Sequence, residues 1–127
     1  MVDRQGGRII FVASQAGLKG YAGIASYCAA KFGVIGLMKS LAIELAPHGL
    51  NVNAVCPGSV DTEGNRGVAQ ELGVSFEEMV GEFTSRQLVS RVMQPENIAC
   101  AIVYLASTDG DFILGHALTI DGGAVTK

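Results

Sequence analysis

The run Arg8-Ile-Ile-Phe-Val-Ala-Ser14 is apolar from Ile9 to Ala13, with no polar residue alternating along it. A strand with one wet face alternates; a strand that is apolar at every position must be covered on both faces, as in the interior of a parallel sheet. Parallel neighbours cannot be joined by a tight hairpin and need a crossover of a dozen or more residues, usually a helix. The chain supplies one. From Ala25 to about Ala46 apolar residues recur at three- and four-residue steps (Ile35, Met38, Leu41, Ala42, Leu45). This predicts a helix with Ser26 as its N-cap and Pro47-His48-Gly49 as its stop.

Leu50 to Cys56 then reads as a second strand, ended by Pro57-Gly58. Ser59 to Gly73 is polar and glycine-bearing, which predicts a loop with at most one short helix. Ser75-Phe-Glu-Glu78 matches a capping box and predicts a helix over 76–85. Pro95 suits the first turn of a further helix running to about Ser107. A short strand, Ala117 to Ile120, precedes Asp121-Gly122-Gly123. Strands alternating with helices give an α/β fold, with right-handed crossovers onto a parallel sheet and helices on its faces. In such sheets ligands bind outside the carboxyl ends of the strands. Ser14, Pro57-Gly58 and Asp121 lie at those ends.

Composition bounds the function. At 127 residues the chain is one domain, and 49% hydrophobic against 17% charged residues excludes intrinsic disorder. A net charge of −3 without a basic run gives no footprint for nucleic acid. No apolar stretch approaches the roughly 20 residues of a membrane span, and Met1-Val-Asp-Arg-Gln-Gly-Gly7 is too polar for a signal peptide. A cytoplasmic protein is expected. Cys28, Cys56 and Cys100 are odd in number and widely spaced, so they read as small buried residues rather than a disulfide framework or a metal site. His48 and His116 read as surface loop residues, and Glu77, Glu78 and Glu82 as the wet face of a helix.

The chemistry lies with Tyr27 and Lys31, four apart and therefore on one helical face. A phenol ordinarily loses its proton near pH 10, too high for a base at neutral pH. An ammonium one turn away, or a cationic nicotinamide ring, favours the phenolate. Such a tyrosine takes a proton from an alcohol as hydride leaves, or gives one to a carbonyl as hydride arrives. Ser14 can hydrogen-bond the same oxygen. Alone, Tyr-x-x-x-Lys is a weak motif that an exposed helical pair also satisfies. A serine at a strand end, a glycine loop and then the tyrosine at a helix start is a rarer arrangement.

Ser14 thirteen positions before Tyr27, the segment Tyr27-Cys-Ala-Ala-Lys31-Phe-Gly-Val-Ile-Gly-Leu37, the segment Leu50-Asn-Val-Asn-Ala-Val-Cys-Pro57-Gly58-Ser-Val-Asp-Thr62, and the ending Leu114-Gly-His-Ala-Leu-Thr-Ile-Asp121-Gly-Gly123 together resemble the short-chain dehydrogenase/reductase family. The resemblance loosens only between Glu63 and Val92. It implies the C-terminal part of a doubly wound Rossmann-type parallel sheet, here three strands with crossover helices. It implies Tyr27 as general acid/base, Lys31 as its electrostatic partner and a ligand of the nicotinamide ribose, and Ser14 as the group orienting the substrate. Pro57-Gly58 would wall the nicotinamide, with the Val60 backbone and the Thr62 hydroxyl at its carboxamide. The cofactor would be NAD or NADP, the substrate a small alcohol or ketone, and residues 63–93 a variable substrate lid. A neighbouring subunit packs on the long helix in this family, so a homo-oligomer is expected; no metal, nucleic acid or membrane is implied.

The family's glycine-rich nucleotide-binding turn is not found in these residues. Gly17, Gly20 and Gly23 do not have Gly-x-Gly-x-x-Gly spacing, and no acidic ribose partner lies about 20 residues on. They read as loop glycines near the substrate. A single incomplete Rossmann-type domain is therefore expected over 1–127, a fragment with an apolar first strand whose open edge is adhesive and one sheet face lacking helices. Such a chain needs an upstream half or a tight dimer. Two functions follow: a segment of a hydride-transferring oxidoreductase, or a non-enzymatic remnant that keeps the fold and subunit contacts. A sugar-nucleotide epimerase with the same tyrosine and lysine is disfavoured by Pro57-Gly58 and Asp121-Gly122-Gly123.

Overall fold

The computed structural model describes residues 1–126. In chain order it contains β1 (Gly7–Val12), α1 (Ala25–Leu45), β2 (Leu50–Pro57), α2 (Glu63–Glu71), α3 (Phe76–Ser85), α4 (Pro95–Ala106) and β3 (Ala117–Ile120), with single 3₁₀ turns at Val2–Arg4, Gln15–Gly17, Ala46–His48 and Thr108–Gly110. The strands form one parallel sheet in the order β1-β2-β3. Gly7 to Val12 pair with Leu50 to Val55, and Ala54 to Pro57 pair with Ala117 to Ile120. β2 is the central strand, and Val52, Ala54, Val55 and Cys56 are fully buried there.

Each face of β2 carries a separate core. Val52, Ala54 and Cys56 pack with Ile35, Met38 and Ala42 of α1. Val55, of opposite parity, packs with Ile98 and Leu105 of α4 and with Val60. Period-two alternation thus sends neighbouring residues into different cores, which is why the strand is apolar at nearly every position. The two asparagines of β2 are spent on backbone. Asn53 donates to the Ile113 carbonyl (2.6 Å) and accepts from the His116 N–H (3.0 Å), and Asn51 donates to the Asp111 carbonyl (2.9 Å), fastening the segment that leads into β3.

Four expectations are corrected. Both sheet faces carry a helix, because α4 returns over the face opposite α1; β1 and β3 are the edge strands. β1 ends at Val12, although Ala13 still donates to the Val55 carbonyl (2.9 Å). The N-cap of α1 is Ile24, not Ser26, and no side chain caps the first turn. Ile24, 43% exposed, also lines the site cavity described below. As expected, the polar segment after Ser59 holds one short helix, α2, capped by the Thr62 hydroxyl, which accepts from the Asn65 N–H (3.2 Å). Cys28 and Cys56 are buried, but Cys100 is exposed. It lies two residues from Ile98, on the opposite side of α4.

The helices at 76–85 and 95–106 and the strand at 117–120 stand where the sequence predicts them. Ser75 and Glu78 form the expected capping box: the hydroxyl accepts from the Glu78 N–H (3.1 Å) and the carboxylate accepts from the Ser75 N–H (2.9 Å). His48 and His116 are exposed, as are Glu77, Glu78 and Glu82.

Candidate active site

The carboxyl ends of β1 and β2 open onto the start of α1 and onto the α2–α3 pair. Ser14 follows β1 in extended conformation and caps the 3₁₀ turn 15–17, its Oγ accepting from the Ala16 N–H (3.1 Å). That turn lies directly on α1. A Cβ at Gly17 would stand 2.7 Å from the Lys31 carbonyl oxygen and 2.8 Å from Ile35 Cδ1, so only glycine permits the approach that brings Ser14 to the tyrosine.

Tyr27 projects from the first turns of α1 and is 46% exposed. One turn on, the Lys31 ammonium lies 5.5 Å from the centre of the Tyr27 ring and donates to the Val12 carbonyl (3.2 Å). Because Ala13 turns its N–H toward β2, the backbone groups of Val12 face the open edge of the sheet. Lys31 therefore serves an edge carbonyl that no strand satisfies.

Ser14, Tyr27 and Gly58 line one cavity of about 290 Å³. Gln15, Tyr21, Ser59 and Asn65 complete its polar wall; Ala16, Ile24, Val68, Met79 and Phe83 make the apolar one. Lys31, Pro57, Val60 and Thr62 are not among the lining residues. Pro57 closes β2, and Val60 is buried with its carbonyl accepting from Asn65 Nδ2 (2.7 Å). At Gly58 the wall is backbone: an added Cβ would stand 2.8 Å from Asp121 Cα. Asp121, buried, is a structural group here, its carboxylate accepting from the Gly123 and Val125 N–H groups (2.8 Å each).

The helical pair over the cavity hangs from a narrow neck. Val60 and Met93 form an isolated parallel bridge, with the Asp61 N–H donating to the Met93 carbonyl (2.8 Å) and the Met93 N–H to the Ser59 carbonyl (3.1 Å). Arg66 makes a two-pronged ion pair with Asp61 (2.9 and 2.8 Å) and lies over the Phe76 ring at 4.2 Å, tying α2 to α3.

Two groups at the site depart from their ordinary acidity. Burial, reinforced by the charge of Asp121, pushes the Tyr21 phenol up, so at neutral pH it is a hydrogen-bond donor. Burial likewise pushes up the Cys56 thiol. Sequence reasoning missed Gln15, Tyr21, Ile24 and the lid residues Asn65, Val68, Met79 and Phe83. Tyr21, the aromatic of a glycine loop, carried a signal; the lid residues carried none beyond the periodicity of their helices. Among the described residues no three His, Cys, Asp or Glu side chains converge, and no helix is long and apolar enough to cross a membrane.

The comparisons agree on one lineage. Residues 1–125 match the family model described as enoyl-(acyl carrier protein) reductase. A diacetyl reductase [(S)-acetoin forming] of Staphylococcus aureus is 38% identical over 126 residues, covering 93% of this chain and 47% of that protein. Among solved structures, a short chain dehydrogenase family protein from Francisella tularensis superposes with a TM-score of 0.87 at 31% identity, over 96% of this chain and 52% of that one. An actinorhodin polyketide ketoreductase with NADPH gives 0.91 at 37% identity, over 100% and 50%. The chain thus spans about half the length of the relatives it matches. With a match along nearly its whole length and the parallel sheet these relatives share, the chain belongs to the short-chain dehydrogenase/reductase family.

Proposed function

We propose that this chain provides the proton-transfer and substrate-binding part of an oxidoreductase that interconverts a small alcohol and its ketone. One observation carries the reading: Ser14, Tyr27 and Gly58, contributed by two strand ends and a helix start, line a single cavity, with Lys31 one turn behind the tyrosine. In reduction, the substrate carbonyl oxygen receives the Tyr27 proton while the Ser14 hydroxyl donates to the same oxygen and holds it in place. In oxidation, the phenolate oxygen takes the proton from the alcohol. The Lys31 ammonium lies 5.5 Å from the centre of the Tyr27 ring.

A nicotinamide cofactor, NAD or NADP, supplies or accepts the hydride when bound. For its nicotinamide end Gly58 offers a wall without a side chain, and we assign to it also Tyr27, of the cavity, and Pro57, the Val60 backbone, Thr62 and Lys31, which lie outside the cavity lining. The residues described contain no glycine-rich turn for its pyrophosphate. Residues 63–93 act as the lid over the substrate, hung on the Val60–Met93 bridge.

A second reading has an observation of its own. The open-edge carbonyl of Val12 has no strand partner and accepts from Lys31 instead, as at a sheet that lacks its next strand. On that reading the isolated chain keeps the fold and its subunit contacts but does not turn over.

The two separate experimentally. NADH and NADPH are titrated against the purified chain, following nicotinamide fluorescence and melting temperature; no response to either at millimolar concentration sinks catalysis by the chain alone. In parallel, the chain is fused behind the nucleotide-binding half of the S. aureus relative and assayed for ketone-dependent NAD(P)H oxidation. The fusion is expected to be active, and Tyr27→Phe to lower kcat by about 10²–10⁴-fold with KM little changed. A fusion that folds and binds cofactor, yet is as active with phenylalanine as with tyrosine, refutes the assignment of Tyr27.

A further inference from the structure

Asp121-Gly122-Gly123 is the sequence motif that the proposed chemistry leaves without a task. Asp121 is 5% exposed, and its carboxylate accepts from the Gly123 and Val125 N–H groups (2.8 Å each), closing an Asx-type turn. Both glycines have positive φ (62° and 85°), so the two residues have wide conformational freedom of their own. The carboxylate bonds restrict it and hold the Gly122 carbonyl in one direction. That carbonyl accepts two hydrogen bonds from the residues between α3 and Met93, from the Leu88 N–H (2.8 Å) and the Val89 N–H (2.9 Å). Gln87, 3% exposed, packs its amide against the same glycine, where a Cβ would stand 3.1 Å from it. With its nitrogen turned toward Val89, that amide donates to the Val89 carbonyl (3.0 Å).

This staple is continuous with the cavity wall on both sides. The Gly58 N–H donates to the Ile120 carbonyl (2.8 Å), and the Asp121 backbone closes on Gly58, so the turn is fixed to the wall of the cavity. On the lid side the Arg86 and Gln87 N–H groups donate to the Phe83 (3.1 Å) and Thr84 (3.0 Å) carbonyls, so the end of α3 runs straight into the stapled residues. α3 carries Met79 and Phe83 of the apolar wall. Resting on the reading of this cavity as a ketone site with residues 63–93 as its lid, we infer that Asp121 is a positioning residue: by fixing the Gly122 carbonyl that Leu88 and Val89 share, it sets how far α3 stands from Gly58 and so the width of the cavity that receives the substrate. The Val60–Met93 bridge is a single attachment, about which the leg returning from α3 would pivot. A second attachment earlier in the same leg removes that freedom. A lid ordered before the substrate arrives need not be ordered by it, and the affinity is higher by that saving in entropy.

The test uses the whole chain and two readouts that do not depend on turnover: amide exchange, and binding of cyclohexanone followed by saturation-transfer NMR. Asp121→Asn keeps the size but offers one acceptor oxygen in place of two, with an NH₂ set against a backbone N–H. It is expected to speed exchange at the Leu88 and Val89 amides about tenfold, while the Val52 and Ala54 amides of β2 keep their protection. Cyclohexanone should bind about tenfold more weakly. Val89→Pro deletes one of the two donors at a half-exposed position; it should speed exchange at Leu88 and weaken cyclohexanone in the same direction, and it decides the matter if Asp121→Asn does not fold. A carboxylate that only stabilised the fold would give faster exchange in β2 and α3 alike, a lower melting temperature and an unchanged affinity per folded molecule. Unchanged affinity in the folded variants, or unchanged exchange at Leu88, overturns the positioning role and leaves the ketone site standing. If the wild-type chain does not bind cyclohexanone, or Tyr27→Phe leaves its affinity unchanged, the ketone site itself fails and the inference falls with it.

Discussion

Single residues matter at this site through what they permit as much as through what they do. Gly58 is needed because β2 and the turn after β3 converge there, its N–H donating to the Ile120 carbonyl (2.8 Å) while the Asp121 backbone closes on the space a side chain would fill. Gly58→Ala is therefore expected to cost about 1–3 kcal/mol in urea unfolding, since the opposing atom is main chain and cannot swing away. An alanine variant as stable as wild type would show that the two turns are free to part. Gly17 plays the same part between the serine turn and α1. Ser14 and Tyr27 are neighbours in space because a glycine lets a loop lie on a helix backbone.

Among the elements, α2 and α3 are held mainly by local devices: the Thr62 cap, the Ser75–Glu78 box and the Arg66 ion pair to Asp61. Hydrogen bonds from the Ser75 N–H and hydroxyl hold the Glu78 carboxyl below its ordinary value. A carboxyl depressed in the folded state contributes stability that is full above its ordinary value and is lost as pH falls through the folded one. Amide exchange at the start of α3 should thus accelerate as pH is lowered beneath the ordinary glutamate range, after correction for intrinsic exchange. Glu78→Gln and Ser75→Ala should flatten that dependence; if protection in wild type is equally flat, the box does not hold the helix. In α1, Ile35, Met38 and Ala42 face the sheet, yet Phe32, Leu37 and Ile43 are exposed, Ile43 at 79%. A helix apolar all round is ordinarily covered all round.

On the scale of the whole molecule, the sheet stops at an apolar edge. The backbone of Val12 faces outward there, the residue is 54% exposed, and its carbonyl accepts from Lys31. Edges of this kind pair with another strand. The purified chain is expected to self-associate and to bind an apolar dye, and Val12→Lys, which places a charge on the exposed end of β1, to shift sedimentation toward the monomer. A dye-silent wild-type monomer would contradict this. How much of this was legible beforehand divides along physical lines. Signals carried by neighbours in the chain were read correctly: the apolar run of β1, the three-to-four-residue steps of α1 and the capping box of α3. Local sequence misled at the start of α1, where Ile24 and not the hydroxyl residue Ser26 stands at the N-cap. It was silent about pairs distant in the chain, such as Gln15 beside Gly58 and Met93 bridging Val60. Nor did it show that α4 covers the second face of the sheet. Periodicity and caps are set within a few residues and are written in the sequence directly. Whether the leg returning from α3 rests on the turn after β3 depends on how strand ends, a loop and two lid helices close on one another, and only the tertiary structure decides that.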